Sequence, residues 1–187
     1  MPENRAHDSH GKAAAKEVPV LPAPPAGYEQ RMPRQPEATA LVSIGPDVFG
    51  REQRLIPEAA RAWAEMRDDA ALDGVQLLLL SGFRSVARQR EIVGRKLAAG
   101  VAWTEILRVS AYPGHSEHHT GRAVDIGSPD GEHLNEGFET TREFRWQETH
   151  AWRFGFSLSY PRNGDTGVVY EPWHWLWRPE LRRTSPG

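Results

Sequence analysis

The run VQLLLLS, residues 75–81, constrains the fold more than any other stretch of this chain. It follows Gly74, is too short for a typical helix and does not alternate, so it reads as a strand buried on both faces with a central place in a sheet. Its flanks are helical. Upstream, Pro57 and Glu58 suit a helix start, and Ala59, Trp63, Met66 and Ala70 recur at helical spacing as far as Gly74. Downstream, Ser85 can cap a second helix whose Val86, Val93 and Leu97 share a face, and Gly100 stands where a left-handed cap is wanted. WTEILRV, residues 103–109, predicts a shorter helical piece, and a third long helix is expected from about Thr140 to Phe154, ended by Gly155. FSLSYP, VVYEP and WHWLW predict two or three closing strands. The order is helix, strand, helices, strand, helix, strands, without an internal repeat. It predicts an α+β fold in which a small, mainly antiparallel sheet is flanked by helices.

The folded part is expected over residues 40–180, beginning near ALVSIGPDVF. Ahead of it, residues 1–39 hold seven of the 15 prolines and no apolar periodicity, and read as a tail or a loosely docked arm. Residues 181–187 read as a short C-terminal tail. With 39% hydrophobic and 26% charged residues, the chain fits one globular domain with a single core. A formal charge of -2 with mixed signs provides no basic face for nucleic acid, and no segment approaches a membrane span. The amino terminus lacks the charged-then-apolar pattern of a secretory signal, so the expectation is a cytosolic protein or one whose leader has been removed. Oligomeric state is unconstrained. There is no cysteine, so any metal must be held by histidine and carboxylate.

SEHHTGRAVDI, residues 116–126, offers such ligands. As a strand, RAVDI turns Val124 and Ile126 to the core and Ala123 and Asp125 to the other face. His118 lies seven residues before Asp125, in a segment broken by Gly121, where the chain can reverse and bring imidazole and carboxylate together. A third ligand is found in VVYEPWHWLW, residues 168–177, as His174. Either histidine alone would be an ordinary hydrogen-bonded one; the set of His118, Asp125 and His174 has the donor composition of a catalytic zinc site with an open position. Glu171, three residues before His174, is the natural general base. In a regular strand, positions 171 and 174 face opposite sides about 10 Å apart. Pro172 disfavours a central ladder position, so a turn or bulge is expected to bring both to one side.

These residues resemble a known family. Ser116, His118, Gly121, Ala123 and Asp125 match the SxHxxGxAxD pattern, and Glu171 to Trp175 the EPWHW pattern, of VanY-like D-alanyl-D-alanine carboxypeptidases. SGFRS with Gln89 downstream, FETTREFRW and FGFSLSYP follow in the same order, so the resemblance covers roughly residues 75–178. It implies a zinc peptidase that trims bacterial peptidoglycan stem peptides or their precursors, on the α+β fold shared with lysostaphin-type enzymes and the hedgehog domain. Position by position, it implies His118, Asp125 and His174 as zinc ligands and Glu171 as catalytic base. Arg84 is similar to the family's arginine that meets the terminal carboxylate or the developing oxyanion, a task suited to a planar, permanently charged fork. Ser116 resembles a substrate-binding hydroxyl and Gln89 a polar wall of the pocket. The motif register selects His118 over its neighbours His115 and His119. Gly121 and Ala123 are expected to be small because backbone and metal approach closely there. Trp173, beside the ligand, is a candidate pocket wall; the other tryptophans read mainly as core. Cleavage of a D,D bond is the leading expectation. An L,D-carboxypeptidase, a phage-type L-Ala-D-Glu endopeptidase and a non-catalytic zinc-containing binding module remain as alternatives.

Overall fold

A computed structural model describes residues 19–131 and 133–183. Among these described residues, five α-helices and six strands follow in the order α1 (Tyr28–Arg31), β1 (Val42–Pro46), β2 (Glu52–Leu55), α2 (Pro57–Leu72), β3 (Leu78–Ser81), α3 (Val86–Ala98), α4 (Trp103–Val109), β4 (Ala123–Gly127), α5 (Arg142–His150), β5 (Phe156–Leu158) and β6 (His174–Trp177). The fold is α+β: β1 and β2 form a hairpin, and a second, wholly antiparallel sheet has the order β3-β4-β6-β5.

The helices begin where the sequence provides caps. Pro57 opens α2, and Ala59, Ala62, Trp63, Met66 and Ala70 form its buried stripe. The Ser85 hydroxyl accepts from the Arg88 N–H at the start of α3, and the Thr141 hydroxyl accepts from the Phe144 N–H at the start of α5. The long third helix is shorter than expected: regular α geometry stops at His150, and one 3-10 turn, Ala151–Phe154, completes it before Gly155 at φ 85°.

One face of the sheet makes the core. Val124 and Ile126 of β4 and Trp175 and Trp177 of β6 pack with Trp63 and Met66 of α2 and Phe144 of α5. The opposite residues of the same strands, Asp125 and His174, are therefore turned to the other face, where the functional pocket lies.

One expectation is corrected and another is narrowed. VQLLLLS does not occupy the centre of the sheet; β3 is its edge. Val75, Leu77 and Leu79 are buried in the main core, and the β1–β2 hairpin covers the backbone edge through Val48 N–H to Leu79 O (3.0 Å), the Arg51 guanidinium to Leu80 O (3.3 Å) and Phe83 N–H to Arg54 O (2.8 Å). An apolar run reports burial, not the identity of the element that buries it. Of the closing segments, VVYEP is not a strand. It is an irregular stretch tied by Val169 N–H to Arg108 O and Glu171 N–H to Tyr160 O, because Pro172 cannot extend a ladder.

The described part of the arm ahead of residue 40 lies on the domain. Leu21, Tyr28 and Met32 are buried, Gln35 N–H bonds Gly114 O, and Ala38 N–H bonds His119 O. Three apolar side chains separated by turn residues suffice to anchor it, and none forms a periodic pattern readable in sequence. The remainder of the expected arm, residues 1–18, and residues 184–187 of the expected C-terminal tail lie outside the described residues.

Candidate metal centre and its pocket

Strand pairing places two of the three candidate ligands. Asp125 on β4 stands directly opposite His174 on β6, so their side chains emerge together on the pocket face. The third, His118, comes from a 3-10 turn, Glu117–Thr120, that ends at Gly121 and leads into β4. One ligand atom from each of His118, Asp125 and His174 lies within 4.8 Å of the others, and all three residues are buried.

Gly121 is required here for a reason other than metal approach. Its φ is 64°, and a Cβ would sit 3.0 Å from Leu41 Cδ2 and 3.1 Å from both Ile56 Cγ2 and Ile56 N. The glycine lets the ligand-bearing turn reverse against the hairpin side of the domain.

The donor set fits a divalent metal. His118 Nδ1 donates to Gly82 O at 2.7 Å, which leaves the Nε2 lone pair 3.2 Å from Asp125 Oδ2. His174 Nε2 lies 2.9 Å from Glu117 Oε2; in the tautomer that donates an Nε2–H hydrogen bond to that carboxylate, the Nδ1 lone pair faces Asp125 Oδ1 at 3.0 Å. Two imidazole lone pairs directed at one carboxylate repel it unless a proton or a metal cation lies among them, and a metal satisfies all three groups at once. Burial holds His118 below its ordinary pKa against the opposing pull of Asp125, which keeps it in the neutral, ligating form. Burial also disfavours charge on His174, but hydrogen bonds to Asp125 and Glu117 outweigh it and push the pKa up to about 10. A field that favours an imidazolium so strongly favours a metal dication in the same place. Asp125, despite its burial, is held well below the usual carboxylate range by His118 and His174.

Glu117 was not singled out in the sequence. Burial pushes its carboxyl up, but the hydrogen bond and charge of His174 dominate and lower its pKa, so it is ionised at neutral pH. With a metal on His174 it would complete a carboxylate–histidine–metal relay of the kind that fixes a ligand's tautomer and ring orientation. The signal was an acidic residue adjacent to a candidate ligand, and its partner lies 57 residues away.

Pro172 does what its chemistry requires. Glu171 O accepts from His174 N–H at 3.1 Å, closing a turn with proline at its second position, and Glu171 and His174 line one pocket. Burial, reinforced by Asp125, pushes the Glu171 carboxyl up to about 7, against the lowering influence of His174 and Arg84. That value suits proton exchange near neutral pH.

The pocket, of about 550 Å³, brings together every residue singled out for the site: Arg84, Gln89, Ser116, His118, Asp125, Glu171, Trp173 and His174. Arg84 donates through Nη1 to Gln89 Oε1 at 2.8 Å, and its Nη2 lies 3.9 Å from Asp125 Oδ2. Gln89 in turn donates to Ala111 O at 2.6 Å, so this buried amide holds the guanidinium as well as lining the wall. Burial lowers the Arg84 pKa, while Asp125 and Glu171 oppose the shift. Tyr160, also unread in the sequence, packs its ring 4.8 Å from that of His174 and faces the pocket. The neighbouring histidines are structural. His119 Nδ1 donates to Arg84 O and its Nε2 accepts from Gly114 N–H, while His115 Nδ1 donates to Met32 O.

Residues 52–180 match the family described as VanY, D-alanyl-D-alanine carboxypeptidase. A D-alanyl-D-alanine carboxypeptidase of Enterococcus faecalis is 38% identical over 121 residues, which cover 59% of this chain and 43% of that protein, so the chain spans less than half of this relative's length. Among solved structures, the LdcB LD-carboxypeptidase aligns with a TM-score of 0.70 at 33% identity, covering 79% of this chain and 72% of LdcB. The vancomycin-resistance D,D-pentapeptidase VanY, solved with Zn(II), aligns with a TM-score of 0.58 at 31% identity, covering 75% and 79% of the two chains. With a His-Asp-His site able to hold a metal ion at the bottom of its pocket, this chain belongs to the VanY D-alanyl-D-alanine carboxypeptidase family of metallopeptidases.

Proposed function

We propose that this chain is a zinc-dependent D,D-carboxypeptidase that removes the terminal D-alanine from peptidoglycan stem peptides. The observation that carries this reading is the convergence of Glu171, Arg84 and the His118, Asp125 and His174 set on one pocket. Zinc held by those three side chains would polarise the scissile carbonyl and acidify a water molecule. Glu171 takes the proton of the attacking water and delivers it to the departing amine, a role favoured by the burial that raises its carboxyl above the ordinary range. Arg84, steadied by Gln89, presents its fork to the developing oxyanion or the terminal carboxylate, and Ser116 offers a hydroxyl on the same wall. Trp173 contributes an apolar side of the pocket.

L,D-cleavage is the second reading. It is favoured by the likeness to LdcB, an LD-carboxypeptidase that covers more of this chain than VanY does. Incubation of purified protein with defined pentapeptide and tetrapeptide muropeptides, followed by mass spectrometry with and without chelator, separates the two. Loss of one alanine from the pentapeptide alone, abolished by chelation, is the expected result. Loss from the tetrapeptide alone replaces the D,D reading with the L,D one, and no loss from either overturns both.

A further inference from the structure

Helix α3 lines the pocket with Arg88, Gln89, Ile92 and Lys96, the last three at helical spacing. Gln89 belongs to the Arg84 cluster. Lys96 lies seven residues further on, about 10 Å along the helix axis, and forms a separate polar point. Its Nζ donates to the Ser110 hydroxyl at 2.7 Å, among the apolar walls Ile92, Val109 and Val168.

The other cations of the pocket already have acceptors in the protein. Arg84 is held by Gln89 beside Asp125, Arg88 pairs with Glu91, and Arg51 pairs with Asp47. Lys96 has no carboxylate within ion-pair distance among the described residues. Burial lowers its pKa and the charge of Arg84 adds to that effect, opposed only by Glu171. A half-buried ammonium held by one neutral hydroxyl retains donors for an anion and gains from receiving one.

We propose that Lys96, seated on Ser110, binds a carboxylate of the substrate, at a point distinct from the Arg84 cluster. This rests on the stem-peptide reading above and narrows it: the preferred substrate carries a free carboxylate that reaches the α3 wall. An extended peptide covers about 10 Å in three residues. The anion is therefore either the chain terminus or a side-chain carboxylate further up the peptide.

Calorimetric titration of zinc-loaded protein carrying Glu171→Ala, which stops turnover, tests the assignment. The ligands are a stem pentapeptide, the same peptide amidated at its terminus, and the same peptide amidated at its D-glutamyl carboxylate. Lys96→Met is expected to weaken binding of the unmodified peptide about 10-fold or more, the loss of one charge-assisted hydrogen bond. Lys96→Gln, which keeps a donor for Ser110 but no charge, should fall similarly, and Lys96→Arg should recover most of the affinity. The penalty should vanish on one of the two amidated peptides, which names the carboxylate. Equal binding by proteins with and without the Lys96→Met substitution, or an undiminished penalty on both amidated peptides, overturns the assignment. Cleavage of the pentapeptide by protein with Glu171 intact is measured alongside. Cleavage with no effect of Lys96→Met sinks the Lys96 assignment alone, whereas neither cleavage nor binding sinks the stem-peptide reading with it.

Discussion

Replacing Glu117 tests whether the pocket is a metal site built in two layers. Its carboxylate lies 2.9 Å from His174 Nε2, its side chain is 14% exposed, and it is ionised. A hydrogen bond to a charged group in such a setting contributes about 1.5–3 kcal/mol, and a neutral one roughly half as much. Glu117→Ala removes the acceptor and frees the imidazole to rotate or change tautomer. Zinc affinity should fall about 10- to 100-fold, the range typical of partners that orient a ligating histidine. Glu117→Gln keeps an acceptor and loses the charge, so its loss should be about 1 kcal/mol, or roughly five-fold. Competition against a chromophoric chelator at neutral pH measures both, with the wild-type protein as reference and circular dichroism to confirm folding. A zinc affinity of the alanine variant equal to that of wild type would refute the reasoning, since His174 would then be oriented by its strand alone. A glutamine variant weaker than the alanine variant would refute the charge argument in a different way.

Three further outcomes are expected. His118→Ala should lose both zinc and turnover, whereas Glu171→Ala should keep stoichiometric zinc by elemental analysis and lose turnover by about 100-fold or more; full activity in either variant would sink the assignment. Gly121→Ala should lower stability by about 2–4 kcal/mol, combining a left-handed backbone penalty with collisions at Leu41 and Ile56, and a melting temperature unchanged from wild type would contradict it. Asp47 accepts from Phe49 N–H, Arg51 N–H, the Arg51 guanidinium and Gln53; burial raises its pKa but these donors lower it overall. Its stabilising contribution is therefore present above about pH 4, the unfolded value, and is lost as pH falls through the lower folded value. Asp47→Asn should be the less stable protein at about pH 6, and the gap should narrow in thermal melts toward about pH 3.

What the sequence made legible was chemistry with a local signature. Ser85, Pro57 and Gly155 announce helix ends because caps act within one turn. His118, Asp125 and His174 could be grouped because a chain without cysteine leaves histidine and carboxylate as ligands, and two short motifs present them. Pro172 disclosed its turn because proline forbids the alternative. The edge position of β3 was illegible, since a strand covered by a hairpin and a strand flanked by two partners bury the same residues. Glu117 and Tyr160 were illegible for a related reason: each acquires its role from His174, and nothing in their own neighbourhoods marks a partner that strand pairing brings from far along the chain.

The same long-range pairing sets the electrostatic character of the pocket. Asp125 is shared between two imidazoles on one side and approached by Arg84 on the other, while Glu117 stands behind His174. A dication bound among the ligands would be offset by Asp125 and Glu117. Glu171 then remains to be set against Arg84 and Lys96, both turned to the same cavity, so the pocket keeps a surplus of positive charge although the whole chain is slightly acidic. In a low-dielectric cleft a surplus of that sign attracts anions and repels cations. A peptide with a free carboxylate thus has an electrostatic reason to enter this pocket. The D-glutamyl carboxylate inside a stem peptide is an anion as well, so the surplus draws either carboxylate to the pocket, and the two amidated peptides tell them apart.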